Sequence, residues 1–116
     1  MSKKVVLFAF NGETMCFVHV LLHALDMHQK GYDVKLVIEG SAVKQVKELA
    51  PKDKPFANLY HQVIEKGLLD CVCRACSAKL GTLKDAQAQN LPLGEDMKGH
   101  PSITQYLEQG YEVLTF

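Results

Sequence analysis

The sequence predicts an α/β fold in which a mostly parallel sheet of about five strands carries helices on both faces. Short apolar and β-branched runs alternate along the chain with longer segments in which apolar residues recur at helical spacing. A glycine follows most of the predicted helices and separates each from the next strand. A chain of 116 residues fits one domain, which we expect to span 1–116.

The first part of the chain predicts a strand, a helix and a second strand. Residues 4–10 (KVVLFAF) form an apolar run typical of a strand that is buried on both faces. Helical spacing of apolar residues predicts a helix over 14–30, with Thr14 as its cap and Gly31 as its end. Residues 32–39 (YDVKLVIE) are rich in β-formers and predict the second strand.

Two helices and a third strand are predicted next. Ser41 is a suitable N-cap for a helix that ends before Pro51. A second helix is predicted over 56–66, where Gly67 ends it, and residues 68–72 (LLDCV) predict the third strand.

The last third of the chain carries weaker signals. The remaining predicted elements are a short helix over 73–80, one helical turn in 82–90, a very short strand over 91–93, a helix over 102–109 with Pro101 in its first turn, and a closing strand over 111–116. In parallel sheets, ligands bind beyond the carboxyl ends of the strands. Two segments of interest occupy that position, namely residues 11–14 after the first strand and Cys73 after the third.

Charge and composition exclude several classes of function. Thirteen basic residues balance thirteen acidic ones and no Lys/Arg run exceeds two residues, so we expect neither a nucleic-acid nor a membrane partner. No apolar run approaches the roughly 18 residues of a membrane span. The N-terminal apolar run is too short for a signal peptide, so we expect a cytoplasmic protein with reduced thiols. Without a G-x-G-x-x-G or Walker pattern, we expect no cofactor.

The densest chemistry lies in C-V-C-R-A-C over 71–76, which holds three of the four cysteines. At the start of the predicted helix, free N–H groups and the helix dipole should lower the pKa of Cys73 and favour its thiolate. Arg74 adds positive charge, and Cys76 lies about one helical turn further on, facing Cys73. Cys71 points the same way as Cys73 only if the strand continues that far.

Sulfur carriage, metal binding and thiol redox chemistry all remain open for this cluster. A closed zinc site needs four ligands, so Cys71, Cys73 and Cys76 would require His61 or His100 as the fourth. Asn11, Gly12 and Glu13 follow the first strand at the same edge of the sheet, and we expect them to shape the entrance to the site. Cys16 approaches Cys73 only if the first and third strands are neighbours.

The chain resembles the DsrE/DsrF-like proteins, which include the TusD-type sulfur-relay subunits. The resemblance rests on the apolar first strand with its polar-glycine loop, on C-R-A-C-S-A-K-L-G over 73–81, and on G-Y-E-V-L-T-F over 110–116. It implies a flavodoxin-like three-layer α/β/α fold, homo-oligomers (often trimers or hexamers), and sulfur transfer between a protein donor and a protein acceptor. It also places the persulfide on Cys73 and, in many relatives, a second cysteine at Cys76, whereas Cys71 lies outside the usual pattern.

The leading hypothesis is therefore a sulfur carrier or sulfurtransferase that works through a Cys73 persulfide, with Cys76 assisting release. Asn11, Gly12, Glu13 and Arg74 are the predicted substrate-binding residues. The alternative is a zinc-binding or thiol-redox regulatory module that uses Cys71, Cys73 and Cys76. Apolar residues on the first helix exceed what one sheet face needs, which suggests a subunit interface at Phe17, Val18 and Leu21.

Overall fold

A parallel five-stranded sheet organises the chain in the computed structural model, which describes residues 3–116. In chain order the elements are β1 (Lys4–Ala9), α1 (Thr14–Gln29), β2 (Asp33–Ile38), a 3-10 helix (Gly40–Lys44), α2 (Gln45–Glu48), α3 (Ala57–Glu65), β3 (Leu69–Cys73), α4 (Arg74–Leu80), α5 (Leu83–Ala88), β4 (Leu93–Gly94), α6 (Ile103–Glu108) and β5 (Glu112–Thr115). Among these residues, none of the helices has the length and apolar character that crossing a bilayer requires.

The sheet confirms the predicted fold class. Its strand order is β4-β3-β2-β1-β5, and every strand pair is parallel. Helices cover both faces, which gives the flavodoxin-like three-layer architecture. The order differs from the 2-1-3-4-5 of flavodoxin itself. Here β2, β3 and β4 are added in succession on one side of β1, and β5 is added on its other side.

The two faces of the sheet bury very different amounts of apolar surface. The larger cluster, under α1, α3, α4 and α5, includes Val5, Leu7, Ala9, Phe17, Leu21, Leu36, Tyr60, Val63, Val72, Cys73 and Ala86. The smaller cluster, under α6 alone, consists of Val6, Phe8, Val37, Cys71, Tyr106 and Tyr111. Because successive residues of β1 enter opposite clusters, its whole run is apolar.

Two local predictions are wrong, and a third segment is more regular than its sequence suggests. Ser41 does not cap a helix, because its hydroxyl donates to the carbonyl of Phe10 and accepts from the Gly12 N–H, while the helix there starts as a 3-10 helix with Glu39 as N-cap. Pro101 precedes the last helix instead of entering its first turn. The polar 82–90 segment forms α5, which is held by the burial of Ala86.

The candidate site is positioned by the neighbouring strands β3 and β4 at their carboxyl ends. The chain leaves β3 into α4 on the side of the larger cluster, and it leaves β4 towards α6 on the side of the smaller cluster. Two neighbouring strands whose connections depart in opposite directions create the position where ligands bind in parallel sheets. Cys73, the last residue of β3, lies at this position.

Candidate functional site

Cys73 is the junction between β3 and α4. It is the N-cap of α4, with extended backbone angles (φ −61°, ψ 119°), and its Sγ accepts a hydrogen bond from the Cys76 N–H at 3.4 Å. The Ser77 hydroxyl donates to the Cys73 carbonyl at 2.7 Å and fixes the turn from the other side. The predicted position of Cys73 at a helix start is confirmed, and one helix N–H, that of Cys76, points at the sulfur.

An imidazole and a second thiol lie against the Cys73 sulfur. His100 Nδ1 is 3.1 Å from Cys73 Sγ and 3.7 Å from Cys76 Sγ. The same nitrogen lies 3.6 Å from Oε1 of Glu39. Segments that follow β2, β3 and β4 thus converge on one cluster, which we call the thiol site (Glu39, Cys73, Cys76 and His100).

Burial dominates the electrostatics of the thiol site. Cys73 is 0% exposed, and this burial raises the pKa of its thiol to about 12, against the opposing hydrogen bond from the Cys76 N–H. The lowered pKa expected from the helix start is therefore wrong, because loss of hydration outweighs one N–H donor. Burial also raises the pKa of Glu39, and the nearby His100 opposes that shift.

The loop between β4 and α6 closes over Cys73. The Ala75 N–H donates to the Gly99 carbonyl at 2.9 Å, and Cys73 Sγ lies 3.7 Å from the same oxygen. Arg74 Nε pairs with Glu95 Oε2 at 3.5 Å, at the start of this loop. Arg74 therefore contacts the covering loop, although the sequence suggested that its charge would act on the Cys73 thiol.

Cys71 lies on the opposite side of the sheet from the thiol site. Its Sγ is 3.6 Å from the Tyr106 hydroxyl within the smaller cluster, and burial raises its pKa to about 11. Strand β3 does reach Cys73, but the chain turns into α4 there, so the Cys73 side chain joins the larger cluster instead. A zinc site built from Cys71 together with Cys73 is excluded by this geometry.

The loop of Asn11, Gly12 and Glu13 lies at the same edge of the sheet but two strands from Cys73. Strand β2 separates β1 from β3, a spacing of about 10 Å between their axes. The Gly12 N–H donates to the Ser41 hydroxyl at 2.8 Å, and a Cβ on Gly12 would meet the Ser41 carbonyl oxygen at 2.5 Å. These contacts fix the loop against the segment that follows β2, beside Glu39 and not beside the thiols.

Cys16 and His61, two further candidates, also lie apart from the thiol site. Cys16 Sγ donates to a Glu13 carboxylate oxygen at 3.3 Å, and this hydrogen bond raises the pKa of the thiol. Because strands β1 and β3 are not neighbours, the condition for its approach to Cys73 is not met. His61 Nε2 lies 3.0 Å from the Ala50 carbonyl oxygen, on the outer side of α3.

Sequence reasoning missed two members of the thiol site. His100 was considered only as a possible fourth zinc ligand, and Glu39 was not considered at all. Both follow strands that neighbour β3, so a rule that examines every polar residue after a predicted strand would have found Glu39. No such signal existed for His100, because it lies six residues beyond a two-residue strand.

Comparisons with known proteins identify the family of the chain. The family model of the DsrE/DsrF-like family matches residues 4–116. An uncharacterized protein of Methanocaldococcus jannaschii is 33% identical over 97 residues, which cover 84% of this chain and 77% of that protein. An uncharacterized protein of Archaeoglobus fulgidus is 43% identical over 42 residues, which cover 36% of this chain and 69% of that protein.

A solved structure supports the fold independently. A conserved protein of unknown function from Bacteroides thetaiotaomicron superimposes with a TM-score of 0.74 at 16% identity, covering 98% of this chain and 95% of that one. At this identity the likeness concerns the fold alone. From the match over residues 4–116, the chain belongs to the DsrE/DsrF-like family.

Proposed function

We propose that this protein is a sulfur carrier that accepts sulfane sulfur as a persulfide on Cys73 and passes it to a protein acceptor. Membership of the DsrE/DsrF-like family implies a function of the sulfur-relay type in general. The observation that carries the assignment to Cys73 is its contact with His100, whose Nδ1 lies 3.1 Å from the sulfur. An imidazole at that distance is a base for a thiol that burial keeps protonated at rest.

The loading step exchanges one sulfur–sulfur bond for another. Cys73 Sγ transfers its proton to His100 and attacks the outer sulfur of a donor persulfide. The Cys73–sulfur bond forms, the donor's sulfur–sulfur bond breaks, and the donor leaves as a thiolate that recovers the proton from His100. A donor persulfide and a Cys73 thiol thereby become a donor thiol and a Cys73 persulfide, with no net oxidation or reduction.

The release step runs the same exchange towards an acceptor. An acceptor cysteine transfers its thiol proton to His100, its sulfur attacks the outer sulfur of the Cys73 persulfide, and Cys73 leaves as a thiolate. The Cys76 N–H already donates to Cys73 Sγ at 3.4 Å and stabilises that leaving thiolate. His100 returns the proton to Cys73, which restores the resting site. Cys76 thus assists release in the way the sequence suggested, chiefly through its backbone.

Access to Cys73 requires movement of the loop between β4 and α6. Cys73 is fully buried, whereas the His100 side chain is 37% exposed and Cys76 is partly exposed. A donor that displaces this loop meets Cys73 only when docked, which protects the persulfide from free thiols. Asn11, Gly12 and Glu13, on the same edge of the sheet, belong in this proposal to the surface that receives the partner.

Self-association in the cytoplasm completes the proposal. Phe17, Val18 and Leu21 are buried within the chain's own core, so the interface suggested from them is wrong. Exposed apolar side chains instead lie on α1 and around the edge strand β5, at Leu22, Leu114 and Phe116. We propose that this edge mediates homo-oligomers, trimers or hexamers, whose mass light scattering coupled to size exclusion would give directly.

Thiol redox chemistry is the second candidate function. Sulfur atoms of Cys73 and Cys76 lie within 4.8 Å of each other, in the C-x-x-C spacing of dithiol oxidoreductases. Closing a disulfide requires an S–S distance of about 2.0 Å, so the two side chains would have to rotate towards each other. A defined reduction potential, measured against a glutathione series, would support this candidate.

The test of sulfur carriage compares two serine variants on the same strand. Reduced protein is incubated with cysteine persulfide and analysed by intact mass and peptide mapping. We expect wild type and Cys71→Ser to gain one sulfur atom on Cys73, and Cys73→Ser to gain none. Circular dichroism confirms that each variant is folded. Full sulfur uptake by folded Cys73→Ser would overturn the assignment.

A further inference from the structure

We propose that the thiol site is also a binding site for a thiophilic d10 cation, for which Zn²⁺ is the probe. Cys73, Cys76 and His100 supply three ligands, and Glu39, which lies against His100, would have to move closer to the two sulfurs to supply the fourth. The sequence suggested zinc through a different set that included Cys71. This inference does not rest on sulfur carriage, because coordination and persulfide formation are separate reactions of the same sulfurs.

The distances between the donor atoms fit a tetrahedral ion. The ligand atoms of Cys73, Cys76 and His100 all lie within 4.8 Å of one another. With Zn–S bonds of about 2.3 Å and Zn–N bonds of about 2.0 Å, tetrahedral edges are about 3.5 Å for S···N and about 3.8 Å for S···S. The two S···N distances are 3.1 and 3.7 Å, so shifts of a few tenths of an ångström bring these two edges to tetrahedral length.

Glu39 provides an independent reason to expect a cation. Its side chain is only 12% exposed, and within the described residues its charged contact is His100, 3.6 Å from Oε1. Buried carboxylates are generally paired with a cation or bound to a metal, because an isolated buried charge is costly. That contact is an imidazole, which supplies a full positive charge only when protonated. A divalent ion bound by the two thiolates, the imidazole and the carboxylate would offset the negative charge of the site.

The chemistry of the donors selects the class of ion. Two thiolates and an imidazole are soft ligands that favour Zn²⁺ or Cu⁺ over Mg²⁺ and Ca²⁺. Binding releases the two thiol protons to solvent and involves no change of oxidation state. Because an ion held by Cys73 Sγ withdraws charge from the thiolate, a metal-bound Cys73 is a weaker nucleophile than the free thiolate.

Zinc titration of the reduced, chelator-washed full chain tests the proposal. We expect one Zn²⁺ per chain by native mass spectrometry, with affinity measured by competition against a chromogenic chelator. Substitution with Co²⁺ should give thiolate charge-transfer absorption and the intense visible bands of a tetrahedral site. One equivalent of Zn²⁺ should protect Cys73 and Cys76 from alkylation while Cys16 stays reactive.

Four variants assign the ligands. Cys76→Ser and His100→Ala should each weaken binding by more than about 100-fold, beyond the 10–100-fold typical of an outer-shell partner. Cys16→Ser and Cys71→Ser should bind like wild type. Both informative positions are partly exposed, and circular dichroism checks that the variants fold.

The outcomes separate this proposal from sulfur carriage. Absence of stoichiometric Zn²⁺, or full binding by Cys76→Ser, overturns the metal site and leaves the mass-based test of sulfur uptake untouched. Stoichiometric Zn²⁺ that is lost from Cys71→Ser, with the fold intact, would also overturn the assignment of ligands. Binding of Zn²⁺ with no sulfur uptake in metal-free protein would instead sustain the metal site and reject sulfur carriage.

Discussion

Cys71 and Cys73 stand two residues apart on β3, yet the structure gives them opposite surroundings. Cys73 lies beside an imidazole and a second thiol, with a carboxylate against the imidazole, under the loop between β4 and α6. Cys71 lies in the smaller cluster, where Tyr106 and the backbone of Gly94 enclose it. A Cβ on Gly94 would meet the Cys71 sulfur at 2.7 Å, so that side is already full.

The comparison shows that proximity in sequence says little about shared chemistry. Burial raises the pKa of both thiols, so an altered pKa does not by itself identify the reactive cysteine. What distinguishes Cys73 is a base within hydrogen-bonding distance and a second sulfur beside it. The following predictions test whether the two sides of β3 are as independent as this suggests.

The largest expected effect is on stability, from the Cys71 side. Tyr106→Ala removes a fully buried ring that packs edge-on against Phe8 at 5.5 Å between centroids. We expect the free energy of unfolding to fall by about 3–5 kcal/mol, measured by urea denaturation. Tyr106→Phe keeps the ring but loses the hydroxyl's hydrogen bond to the Asp70 carboxylate and its contact with Cys71 Sγ, so it should cost about 1.5–3 kcal/mol.

Both Tyr106 variants should leave sulfur uptake at Cys73 unchanged under conditions where they are folded. If fully folded Tyr106→Phe lowered sulfur uptake as strongly as a substitution in the thiol site itself, the two sides of β3 would be coupled. The comparison would then be wrong.

The second prediction concerns the base in the thiol site. His100→Ala removes the group that accepts the Cys73 proton, so sulfur uptake from cysteine persulfide should slow by at least about 100-fold. Because the side chain is 37% exposed, stability should change little. His61→Ala is the matched control, since its imidazole contacts the Ala50 carbonyl, away from the thiols. Equal rates for the two variants would remove His100 from the mechanism.

The third prediction is the pH dependence of alkylation at Cys71. Only the thiolate reacts, and a pKa of about 11 leaves roughly one molecule in a thousand ionised at pH 8. Because the pKa is raised, the thiolate appears only as pH increases, and the rate should rise about tenfold per pH unit from 7 to 10. Timed iodoacetamide labelling with peptide mapping gives the rate. Labelling at the speed of a free thiol at pH 8 would show that the smaller cluster opens readily.

The fold was largely readable from the sequence because buried parallel strands leave strong signals. The apolar run of β1 and the glycines after the helices placed most elements to within one or two residues. Helix α5 was harder to predict, because its sequence is polar and Ala86 is the residue that it buries. The 3-10 start after β2 also escaped prediction, because the Ser41 hydroxyl serves the loop after β1 instead of capping a helix.

Only half of the thiol site could be predicted from the sequence, because the other half is brought together by the order of the strands in the sheet. Cys73 and Cys76 share a helix start, so their spacing predicted their proximity. His100 lies 24 residues beyond Cys76 in the sequence. It is brought to the thiols by the pairing of the two-residue strand β4 with β3, and no local sequence pattern predicts that pairing. The separation of Cys71 depended on the turn of the backbone at Cys73, which strand alternation does not capture.

The smallest expected effect distinguishes two roles for Arg74. The ion pair between Arg74 and Glu95 joins side chains that are 45% and 58% exposed, so it is worth about 0.2–1 kcal/mol. If it only fastens the covering loop, Arg74→Gln should let the loop open more often and speed alkylation of Cys73 by about 1.4- to 5-fold. Glu95→Gln should have the same effect.

Salt supplies the control for this last comparison. Raised ionic strength screens an exposed pair, so salt should accelerate labelling of wild-type Cys73 and have little effect on either variant. If Arg74 instead stabilised the Cys73 thiolate, as the sequence suggested, Arg74→Gln would slow labelling while Glu95→Gln would leave it unchanged or faster. If the two variants label at different rates, with only Arg74→Gln slower than wild type, Arg74 stabilises the thiolate. If both variants label faster, Arg74 only fastens the loop.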